Sequence, residues 1–212
     1  MDAPQLQHLF ASGVRFDTEV QYLALGPLGL KYQNLPVGRS LTTADCTVIS
    51  IAQCFAVLCQ VPRGKVVELI RDTPLNDDDI LSVVKAWLPA VTADVLESSD
   101  ARAVGIAALQ AIGSGHICIV LIETQSVSSW ATVIGVESEV GSIQARALLL
   151  LDSSGSEPWC CAHNARIELQ NVAGRQVRAS TGFTLNCRHL TGEACAVRLQ
   201  KLVTLKRAAP AR

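Results

Sequence analysis

An α+β fold, with helices in the first half packed on an antiparallel sheet in the second, is what the 212 residues predict. Three observations carry this. A run over residues 47–61 is apolar on all sides and is followed by two helical-period patterns. Three strong strand signals then crowd between residues 117 and 152. Finally, the chain has neither the strand–helix alternation nor the glycine-rich phosphate turn of a doubly wound sheet.

The first forty residues scatter Gly26, Pro27, Gly29, Pro36 and Gly38 among weak alternation, which predicts short strands and loops over the body. Residues 47–61 form a buried central helix with Asp45 as its N-cap, stopped by Pro62 and Gly64. A short amphipathic helix follows over 65–71. A third, over 78–88, is capped by Asn76 or Asp77, with Ile80, Leu81, Val84, Trp87 and Leu88 at helical spacing. Residues 91–96 alternate as a strand, 100–112 read as a helix, and 113–115 turn the chain. Strands are expected over 117–123, 130–137 and 145–152. After a loop at 153–164, β signals return over 166–172, 176–185 and 195–205, either as an added hairpin or to finish the sheet. The tail RAAPAR should fray.

At this length one domain buries a sizeable core. Eighteen Lys and Arg against nineteen Asp and Glu give no electrostatic signal for nucleic acid, and 4% aromatic content gives no base-stacking platform. No apolar run approaches the ~20 residues of a membrane span, residues 147–151 included. MDAPQLQHLF lacks a basic start, apolar run and cleavage site, which predicts a cytoplasmic chain. Its eight cysteines are then expected to be mostly reduced. Cys54 with Cys59, and Cys160 and Cys161 near His163, are the only metal-like spacings. Without a CxxC pair they read as small buried hydrophobes, so neither metal nor cofactor is expected. Trp87 and Trp130 read as core.

Chemistry enters at TTADC, residues 42–46. A thiol at a helix N-terminus gains from unpaired backbone N–H groups and the helix dipole, which favour thiolate and can face an oxyanion. A nucleophile also needs a base within reach and a group to orient that base. Residues 43–46 read TADC, 129–135 read SWATVIG and 147–152 read ALLLLD. Over residues 40–156 these motifs, in this order, resemble the papain-like bacteriocin-processing peptidases, the double-glycine leader peptidases. The resemblance implies a papain-like domain over residues 1–165 with a β-rich C-terminal extension over 166–212 packed on it.

Carried over position by position, the resemblance makes Cys46 the nucleophile and Asp152 the residue that orients the histidine. Ser129 stands at the histidine position, Ser40 at the oxyanion glutamine position six residues before the cysteine, and Thr47 at the following glycine. Serine is not a base at neutral pH, so hydrolysis loses much of the ~10² to 10⁴ that acid–base help supplies. Among the other histidines, His116 falls at the far end of a hairpin, roughly 20 Å from Ser129. His163, in the loop after the Asp152 strand, is the candidate substitute base. His8 and His189 stand by no motif.

Two readings follow. In the first, a catalytically impaired cysteine-peptidase-like domain binds a peptide or protein substrate in the inherited cleft, such as a leader or export substrate. It works with a separate transporter or modifying enzyme, as the resemblance to transporter-fused relatives implies. In the alternative, Cys46 is an active peptidase, amidase or acyltransferase nucleophile with a non-standard base.

Overall fold

The computed structural model describes residues 6–10, 80–87, 91–152, 163–170 and 185–207. The expected helices over 47–61 and 65–71, the first-half loops, Cys46 and Ser40 lie outside them. The described elements are β1 (Leu6–Phe10), α1 (Ile80–Trp87), β2 (Val91–Glu97), α2 (Ala101–Gly113), β3 (Ile117–Glu123), β4 (Ser128–Glu139), β5 (Ala145–Leu151), β6 (Ala165–Glu168), β7 (Leu185–His189) and β8 (Ala194–Arg207).

The expected α+β arrangement, a papain-like stack of helices on an open sheet, is overturned by the strand pairing. Antiparallel pairs run β4–β3–β8–β7–β6–β5, and β5 pairs back onto β4. Six strands thus close an antiparallel barrel. The β-rich C-terminal segment is not an addition to a finished sheet, since β6, β7 and β8 supply half of the barrel wall. β1 pairs with the C-terminal half of β4, in line with β3, and β2 pairs with the C-terminal half of β8, in line with β7. The physical reason is that β8 is long enough, at fourteen residues, to pair with β3 along one side and with β7 and β2 along the other.

Side chains alternate across each strand, so the register sorts them. Arg166, Glu168, Asn186 and Arg188 of β6 and β7 face outward, and Ala165, Ile167, Leu185 and Cys187 face in. Carried through the paired positions, the lining continues with Leu148 and Leu150 of β5 and Ala131 and Val133 of β4. It is completed by Cys118, Val120 and Ile122 of β3 and Val197, Leu199 and Leu202 of β8. All of these are buried. The outer face of β3 to β5 is buried too, with Ile117, Ile119, Leu149 and Leu151 fully inaccessible. That explains why ICIVL and ALLLL read as continuous apolar runs rather than as alternation. Burying each such side chain contributes about 1.5–3 kcal/mol.

Antiparallel order puts the strand ends into two sets. At one end lie the starts of β3 and β5 and the end of β6, and α2 packs there against β1, β3, β4, β5 and β8. Asp100 caps α2 by accepting from Arg102 N at 3.0 Å, and the buried face of the helix is built from Ala101, Val104, Gly105, Ala108, Ala111 and Ile112. At Gly105 an added Cβ would come within 2.9 Å of Leu169 Cδ1 and 3.6 Å of Ala145 Cβ, so glycine permits this approach.

Candidate functional site

The other end of the barrel, its mouth, gathers the end of β3, the start of β4, the end of β5, the start of β6, the end of β7 and the start of β8. Ser129 pairs with Ile122, and Leu151 with Thr132, so Ser129 and Asp152 both come to this mouth. Strand parity turns both toward its inner side, Ser129 with Ala131 and Asp152 with Leu150. His116 precedes β3 and lies at the α2 end.

The mouth also receives a histidine that stands by no sequence motif. His189 ends β7, pairs with Ala165 and lies on the same inward face as Leu185 and Cys187. Its Nε2 is 3.7 Å from Asp152 Oδ2, with side-chain exposures of 14% and 12%, so the two face each other largely out of water. His189 Nδ1 is buried and has no hydrogen-bond partner among the described residues. One ring nitrogen thus faces a carboxylate, while the other is shielded from solvent. Sequence reading misses His189 because its approach to Asp152 depends on the register of β5, β6 and β7 together.

Asn164 fixes this geometry. Its Oδ1 accepts from Asp152 N at 2.7 Å and its Nδ2 donates to Asp152 O at 2.8 Å, while its own N donates to Leu150 O at 2.9 Å. The side chain therefore extends the β5–β6 ladder past its last backbone pair. Leu190 N donates to Asn164 O at 3.0 Å, which ties in the β7–β8 turn directly after His189. Asn164 is 1% exposed, as a residue with every polar group engaged can be. His163 precedes it and is half-buried at the same mouth.

The rim is held by charge. Glu123, at the end of β3, accepts from Gln200 Nε2 at 2.7 Å and from Arg198 Nε at 2.8 Å. These bonds hold its carboxyl below the ordinary value of 4.5, Gln200 first and Arg198 second. On the outer wall, Arg166 bridges Glu137 and Glu168, each at 2.7 Å, and so links β4 to β6 across β5. Among the described residues no three His, Cys, Asp or Glu side chains converge as metal ligands would. No described helix is long and apolar enough to cross a membrane.

No family model matches the chain, so none supports the resemblance to double-glycine leader peptidases. No curated protein matches it either. The solved structures it is similar to include UfSP from C. elegans, at 12% identity and a TM-score of 0.40. That likeness covers 99% of this chain and 35% of the UfSP chain, so the chain spans about a third of that protein's length. A likeness of this degree does not define a fold.

Proposed function

We propose that the chain is a cysteine-peptidase-like protein that takes a peptide or protein substrate at the barrel mouth, with His189 as the base that Ser129 cannot be. The observation that carries this reading is Asp152 Oδ2 facing His189 Nε2 at 3.7 Å, with His189 Nδ1 buried beside it. The motif TADC supplies the thiol, Cys46, ahead of the run expected from sequence to be helical, where a thiolate would be favoured. In the reaction, His189 Nδ1 takes the Cys46 proton, the sulfur attacks the substrate carbonyl carbon, and the C–N or C–O bond breaks. The leaving group departs with that proton. Water then hydrolyses the thioester, its proton passing through His189, and the thiol is restored. Asp152 orients the imidazole and stabilises its cationic form, as the third member of such a set does.

A second reading, substrate holding without cleavage, is favoured by the same distance, which is longer than a hydrogen bond. Apo spacings of this kind can close when substrate binds. The two readings separate with p-nitrophenyl acetate under single-turnover conditions. The base reading expects a burst of p-nitrophenol that Cys46→Ala abolishes, His189→Ala slows by about 10²-fold or more, and His163→Ala leaves intact. If the Cys46→Ala and His189→Ala proteins match the unsubstituted chain, the holding reading stands instead.

A further inference from the structure

One pair of side chains at the mouth lies outside this chemistry. In the β7–β8 hairpin Cys187 stands directly opposite Cys195. The turn between them places Gly192 at φ +91°, a conformation that suits glycine. It is closed by His189 N donating to Glu193 O at 2.8 Å and Gly192 N donating to His189 O at 3.0 Å. His189 and Glu193 are therefore a hydrogen-bonded pair. By the antiparallel alternation Cys187 and Cys195, two positions along, are one as well, with α-carbons about 5.5 Å apart. A disulfide spans α-carbon separations of about 4.4–6.8 Å, so the pair is within reach, and closing its β-carbons from about 5.5 Å to about 4.5 Å or less draws the two strands of the hairpin together. Their exposure is unequal: Cys187 is 2% exposed, and Cys195 lies open to solvent.

We infer that Cys187 and Cys195 are a redox modification site, a thiol pair that a low-molecular-weight disulfide such as oxidised glutathione converts reversibly into a cross-strand disulfide beside His189. The accessible Cys195 acts first. Its thiolate attacks one sulfur of the reagent, the reagent's S–S bond breaks, and one thiol leaves. Cys187 then gives up its proton to solvent and attacks the Cys195 sulfur, expelling the second thiol. Two electrons pass from the pair to the reagent, which ends as two thiols. Burial, then the neighbouring Cys195 and Asp152, push the Cys187 thiol up, so this second step is the slow one. Asp152 and Cys187 thus sense each other electrostatically. Because His189 lies two residues from Cys187 on the same face, locking the hairpin also resets the imidazole against Asp152.

The test does not depend on any role for Cys46. The full chain is equilibrated in glutathione buffers of rising oxidised fraction, alkylated, digested and mapped by mass spectrometry. A peptide pair joining Cys187 to Cys195, lighter by two hydrogens, should grow with the oxidised fraction and vanish with dithiothreitol. Cys195→Ser should abolish it and leave Cys187 a thiol, while Cys187→Ser should leave Cys195 carrying glutathione. The His189 imidazole resonance, assigned by His189→Gln, should shift on oxidation and return on reduction. Cys195 glutathionylated beside a Cys187 that stays a thiol, or Cys195 joined to another cysteine, would overturn the assignment. So would an unmoved His189 resonance once the cross-link has formed.

Discussion

Asn164 does more to shape the mouth than its position in a loop suggests. Each of its polar side-chain atoms replaces a backbone ladder partner for Asp152, and its carbonyl takes the turn that follows His189. Asn164→Ala leaves the amide and carbonyl of a largely buried residue unsatisfied, at about 1–3 kcal/mol each. Urea denaturation should therefore show a loss of about 3 kcal/mol, and the p-nitrophenyl acetate burst should weaken as well. At this scale the sequence is half legible. The placement of Asp152 at the end of an apolar strand is readable, because the run ALLLLD is local. His189 and Asn164 are not, because a side chain standing in for a ladder bond, and a histidine brought round by three strand registers, leave no local pattern.

Among the elements, α2 shows how spacing by small residues fixes a docking distance. Ala101, Gly105, Ala108 and Ala111 line its buried face and let the backbone approach Leu169 and Ala145 closely. Gly105→Ala meets only the tip of the Leu169 side chain, and its gain of ~1 kcal/mol in helix propensity offsets much of the crowding. Gly105→Val cannot be absorbed that way and should cost about 2–3 kcal/mol, read as a lower urea midpoint at unchanged slope. The elements themselves are well marked in the sequence. The strands expected over 91–96, 117–123, 130–137 and 145–152 form at Val91–Glu97, Ile117–Glu123, Ser128–Glu139 and Ala145–Leu151, the last one residue short, while the strand expected over 176–185 lies outside the described residues except at Leu185, where β7 begins. The 78–88 and 100–112 patterns form helices at Ile80–Trp87 and Ala101–Gly113. Apolar period and turn residues are local properties, and they suffice for this.

For the whole molecule local pattern does not suffice. Whether six strands lie as an open sheet or close into a barrel is decided by β3 meeting β8, residues 117–123 against 198–205, and nothing within either strand names the other. Continuous apolar runs mark strands buried on both faces, and an open sheet under helices satisfies that as well as a barrel wall does. Closure also governs reactivity. Cys118 points into the barrel, is fully inaccessible, and is pushed by burial up to about 12, with a contact to Thr204 pulling weakly the other way. Iodoacetamide at neutral pH should therefore leave Cys118 unmodified in the folded chain while the exposed Cys195 reacts. Cys118 should label only at the rate of global unfolding, as timed peptide mapping would show.

The β3–β8 seam has a further consequence during synthesis. A ribosome has finished β3 about seventy residues before it reaches residue 194, and until β8 emerges β3, and at the last β7, carry a row of unpaired backbone groups. Such edges recruit other strands. A nascent chain stalled or truncated ahead of β8 is for that reason a substrate for chaperones, or a seed for aggregation, rather than a smaller working protein.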